Sequence, residues 1–114
     1  MSFVLKTIPD IVVPVTVQVP GEDEPSTIYA KWRLHPVSKT QEMMDKQRAG
    51  ELTDDALVDQ DLLDITGISD EKGNDVKFSK DLVAQLLDTA YVRKSLILSW
   101  FAAQQGRSEA AAKN

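Results

Sequence analysis

From residue 11 to residue 19 the chain alternates strictly, with Ile11, Val13, Val15, Val17 and Val19 on one face and Thr16 and Gln18 on the other. Successive side chains of a strand point to opposite faces, so this is the pattern of a half-buried strand, and its β-branched content suits that state. Pro14 lacks an N–H donor, which places the strand at a sheet edge or interrupts it there. A polar turn, Pro20-Gly21-Glu22-Asp23-Glu24-Pro25-Ser26, is too long for a two-residue hairpin loop. A second alternating run follows, with Ile28, Ala30, Trp32 and Leu34 on one face and Thr27, Tyr29, Lys31 and Arg33 on the other. The two runs predict an antiparallel hairpin. A lone hairpin is marginal in water, so helices further along must cover its apolar face. The expected class is α+β: an N-terminal antiparallel β-hairpin followed by about four α-helices, packed as one small domain over residues 1–106.

His35-Pro36 ends the second strand, and His35 is the only histidine. It reads as a strand-end residue. Ser38 and Gln41 fit a capping box for a helix that runs to about Ala49, with Gly50 as its stop. The apolar stripe of that helix is thin, essentially Met43, Met44 and Ala49, so the core holds it weakly. Thr53 is placed to cap the next helix, with Asp54 and Asp55 favoured in its first turn by the helix dipole. Ala56, Leu57, Leu62 and Leu63, with Val58 less well placed, give this helix a buried side.

The segment 62–106 supplies much of the core. Gly73-Asn74 makes a turn between short extended pieces around Ile68 and Val76. The loop 70–75 departs from a calcium-binding loop, because Lys72 occupies a ligand position and Asp75 stands where a glycine is needed. Ser79 caps a helix striped by Leu82, Val83, Leu86, Leu87 and Ala90, with Phe78 and Val83 spaced as a hydrophobic staple. Thr89 is the expected cap of the last helix. There Val92, Leu96, Ile97, Trp100 and Ala103 form one stripe, while Leu98 and Phe101 lie off it. A helix apolar on more than one side is central in its fold or part of an interface. Residues 107–114, rich in alanine, form a flexible or partly helical tail.

Composition removes several function classes. There are no cysteines, so disulfides and thiolate chemistry are excluded. No apolar run approaches the roughly 20 residues of a membrane-spanning helix, and the N-terminal segment has no signal-peptide pattern. Net charge is −5, which argues against nucleic acid as a partner, since a phosphate-binding surface needs clustered Lys and Arg. Charge is uneven: residues 51–64 carry six acids and no base, and residues 31–48 carry five bases against Glu42 and Asp45. Such asymmetry can steer a protein partner or another copy of the chain. Asp55 and Asp59, spaced i,i+4, are the one pair open to a metal or acid–base role. No paired histidine, Gly-rich phosphate loop or nucleophile motif accompanies them, and a solvated acidic face is the plainer reading. No enzyme activity, cofactor or metal is expected.

The pattern Ile65-Thr66-Gly67-Ile68, the acidic turn with Gly73, Val76-Lys77-Phe78-Ser79, then Leu82, Leu86-Leu87 and Tyr91-Val92 resembles the tail assembly chaperones of long-tailed bacteriophages. The hairpin and the acidic helix before it fit that family's layout. Ile65 stands where the family often has tryptophan, and Ala90 where it often has proline. The resemblance implies a non-catalytic protein that binds the tape measure protein and helps recruit tail tube subunits during virion morphogenesis. It also implies self-association, a place in the host bacterial cytoplasm, and absence from the mature virion. The competing expectation is a small structural or connector protein of a phage or prophage particle. Candidate protein-binding residues are Ile97, Leu98, Trp100 and Phe101, with Met43 and Met44 as secondary candidates. Burial inside the monomer accounts for the same residues equally well.

Overall fold

Both alternating runs form strands in the computed structural model, which describes residues 2–106. Strand β1 (Asp10–Val17) pairs antiparallel with β2 (Ser26–Arg33), in register from Asp10↔Arg33 to Val17↔Ser26. Val13, Val15 and Val17 are buried, as are Ile28, Ala30 and Trp32, so both strands turn the same expected face inward. Pro14 lies in β1, which is an edge strand of the sheet. The helices are α1 (Val37–Arg48), α2 (Asp54–Asp61), α3 (Lys80–Leu87) and α4 (Ala90–Gln104). The class is α+β.

The hairpin is extended by a third strand that the helical reading of Leu62 and Leu63 missed. Helix α2 stops at Asp61, and β3 (Leu62–Thr66) pairs antiparallel with β2, giving the order β1-β2-β3. The cause is a bulge. Trp32 pairs with Leu62, Lys31 with Asp64 and Ala30 with Ile65, which leaves Leu63 without a partner. One extra residue lets Leu62 and Ile65, three apart, both face the core. Three-residue spacing of apolar side chains is also what a helix shows, so the bulge disguises the strand.

Helix α4 packs across β1 and β2 and also against α3. Val92, Leu96, Ile97, Trp100 and Ala103 are its buried apolar residues, the stripe read from spacing. Both tryptophans are fully buried with their N–H groups satisfied. Trp32 Nε1 donates to Ser99 Oγ at 2.8 Å, and Ser99 Oγ in turn donates to the Leu96 carbonyl at 2.6 Å. Helix α1 keeps only Met43 buried, in line with its thin stripe.

Caps divide by helix. Thr53 Oγ1 accepts from the Ala56 N–H, and Ser79 Oγ from the Leu82 N–H, each at 3.1 Å. Ser38 does not cap α1. That helix begins two residues earlier than a Ser38 cap would set it, at Val37, with the Pro36 carbonyl accepting from the Lys39 and Thr40 N–H groups. Thr89 stands at the cap position of α4, yet its hydroxyl donates backward to the Gln85 carbonyl. Between β3 and α3, Ser69 bridges Asp75, and Asp70 Oδ1 accepts from the Lys72 and Asn74 N–H groups. That is the expected turn. The tail expected at 107–114 lies outside the described residues.

Candidate functional site

Two places concentrate chemistry or exposed apolar surface. The first is a buried carboxylate at the end of α2. Asp61 is 0% exposed. Its Oδ1 and Oδ2 lie 3.0 and 2.9 Å from His35 Nε2. Trp100 Nε1 donates to Oδ2 at 2.7 Å, and Gln60 Nε2 to Oδ1 at 3.1 Å. The indole is a donor only, so the network assigns Asp61 the acceptor role and puts the proton of His35 on Nε2. A second clasp lies beside it. The His35 N–H donates to Gln104 Oε1 at 2.9 Å, and Gln104 Nε2 donates to the Arg33 carbonyl at 2.7 Å. Together they bind the ends of β2, α2 and α4. Both Asp61 oxygens are spent on protein donors and face no solvent, so this centre is a structural junction. Sequence reading placed His35 correctly at a strand end but missed its partner, because Asp61 looked like one more acid in an acidic run.

The second place is a surface between α1 and α4. Met44, Gln47 and Arg48 face Ile97 and Phe101 across a groove of about 350 Å³, with Asp54 at its end. A second depression of about 310 Å³ shares Asp54 and Ile97 and continues to Leu98 and Lys94. Leu98 is 56% exposed, while Phe101 and Met44 are half-buried. This is a run of apolar side chains with a polar rim.

The candidate contact residues therefore separate. Phe101 and Met44 line the groove, Leu98 lines the adjoining depression, and Ile97 lines both. Trp100 and Met43 are corrected to core residues: neither has a free face, Trp100 because it turns under α4 toward Asp61, and Met43 because it is the one anchor of α1. The charge asymmetry is also reduced by local pairing. Lys31 pairs with Asp10, Lys46 with Glu42 and Arg48 with Asp45, so three of the five bases in the basic stretch are locally neutralised. Arg93 joins three helices, donating to the Leu87 carbonyl and to Asp55. That pairing gives Asp55 a cationic partner. Among the described residues no cluster of three or more Asp, Glu or His side chains is arranged to hold a metal, and no helix is long and apolar enough to cross a membrane.

The fold and this surface define a small α+β domain with an apolar groove beside its central helix. Compared with protein-family models, curated proteins and solved structures, the chain shows no match.

Proposed function

We propose that this chain is a non-catalytic binding protein that seats an apolar helical segment of a client in the α1–α4 groove. The observation that carries the reading is Leu98, exposed on the helix whose stripe Val92, Leu96, Ile97, Trp100 and Ala103 builds the core. An amphipathic client helix recognises such a groove through apolar anchors at i, i+3 and i+4, with polar flanks meeting the rim. Lys94, beside Leu98, makes no ion pair among the described residues and favours an acidic flank on the client.

The resemblance of residues 62–106 to tail assembly chaperones gives the client a name. On this reading the client is a phage tape measure protein, which the chain keeps soluble in the host cytoplasm while tail tube subunits are recruited around it. Co-expression with the tape measure protein encoded alongside the chain tests this. The expected result is a soluble complex that co-purifies and that Leu98→Asp disrupts. A tape measure protein that stays insoluble and does not co-purify overturns the reading. Recovery of the chain from purified particles would favour a structural or connector component instead.

A further inference from the structure

Ahead of β1 the chain carries Phe3, Val4, Leu5 and Ile8, and none of them is covered. Phe3 is 85% and Leu5 87% exposed. The Pro9 carbonyl still accepts from the Leu34 N–H, at 2.9 Å, but residues 2–8 form no helix or strand. Seven extended residues reach up to about 23 Å. Four large apolar side chains on one short arm are more than isolated surface hydrophobics.

The molecule also has a groove without an occupant. Val58, Leu62, Phe78 and Val83 line a cavity of about 240 Å³ between α2, β3 and α3, with Asp59 and Lys80 at its rim. It opens through Asp59, Lys80 and Val83 into a wider depression of about 540 Å³. Around the two, Asp55, Asp59 and Asp88 outnumber Lys80 and Arg93, whereas the only charged side chain of the arm is Lys6. Apolar content and charge sign both match. Leu62 pairs with Trp32 at the same end of the sheet from which the arm departs. Even so, the arm stands clear of its own body. Direct pairing of sheet edges between copies is obstructed: Pro14 in β1 has no N–H, and on β3 the Ile65 N–H is taken by Asp64 Oδ1 at 2.8 Å.

We propose that two copies of this chain exchange N-terminal arms, Phe3 and Leu5 of each seating in the α2–α3 groove of the other. The interface is reciprocal, with the same arm and groove used on both sides. It is separate from the α1–α4 surface and does not depend on the client reading. Sedimentation equilibrium of the full chain over a concentration series tests it, with three variants. The double variant Phe3→Asp, Leu5→Asp alters only exposed residues, and Phe78→Asp alters the groove rim; each weakens dimerisation at least about tenfold. Mixing these two restores association above either alone, because one intact arm then meets one intact groove. Leu98→Asp leaves dimerisation unchanged. The proposal is overturned if the unmodified chain stays monomeric (the arm then seats in its own groove or in another protein), if the arm variant associates as the unmodified chain does, or if mixing restores nothing.

Discussion

A carboxylate with no solvent contact is stable only while donors surround it, and Asp61 has His35, Trp100 and Gln60. Asp61→Ala would leave the Trp100 N–H buried without its acceptor and the part-buried His35 ring without its partner. The expected loss is about 2–4 kcal/mol, since a buried donor left without its acceptor costs about 1–3 kcal/mol and the other bonds to Asp61 are lost with it. Domain stabilities are about 5–15 kcal/mol, so urea unfolding should show a much lower midpoint or no folded baseline. A loss below about 1 kcal/mol would mean that the junction does not hold α2 to α4. Trp100→Phe is the finer probe, since it keeps a six-membered aromatic ring while deleting the N–H together with the rest of the five-membered ring. It should cost about 2–4 kcal/mol, part from the acceptor left under-satisfied and part from the cavity the missing ring atoms leave. None of this was legible in the sequence. Asp61 is 26 residues from His35 and 39 from Trp100, and only the packed fold makes them neighbours. Local pattern shows an acid among acids, and burial is what changes its meaning.

Among the elements, the local signals that a short window contains were readable. Thr53 and Ser79 lie immediately before periodic segments and cap them, whereas Ser38 carries the same signature without the bond. The difference yields a controlled comparison. Thr53→Ala and Ser79→Ala should each cost about 1 kcal/mol, while Ser38→Ala should stay within about 0.5 kcal/mol. Chemical denaturation of the three variants under one condition measures this, and a Ser38→Ala loss equal to the other two would restore the capping box. Strand β3 was unreadable for a related reason. Alternation identified β1 and β2 because their pairing has no irregularity. In β3 the unpartnered Leu63 breaks the period of two and imitates helical spacing, and the acids before it prolong the helical pattern of α2. A bulge depends on the partner strand, so a single strand's sequence does not announce it.

At the scale of the whole molecule, the question is which apolar surface the monomer needs. Helix α4 covers the inner face of the sheet through Leu96, Trp100 and Ala103, all at 0% exposure, and its stripe was predictable from spacing. Surplus was predictable too, but not its location. The candidate contacts joined Trp100, on the stripe, with Leu98, off it, whereas packing turns the first inward and the second outward. The two substitutions should then behave oppositely. Trp100→Ala removes a fully buried ring and should cost about 3–5 kcal/mol, with thermal unfolding shifted far down. Leu98→Asp changes a mostly exposed side chain, so stability should move by no more than about 0.5 kcal/mol. Client co-purification should nonetheless be lost, because a client helix that covers the groove and the adjoining depression would desolvate the new carboxylate. Measuring unfolding and co-purification on the same preparation separates the alternatives. If Leu98→Asp unfolds the chain as Trp100→Ala does, Leu98 belongs to the core and the α1–α4 groove loses its claim as a docking site. If stability holds and binding also holds, the client sits elsewhere, and the exposed leucine is ordinary surface.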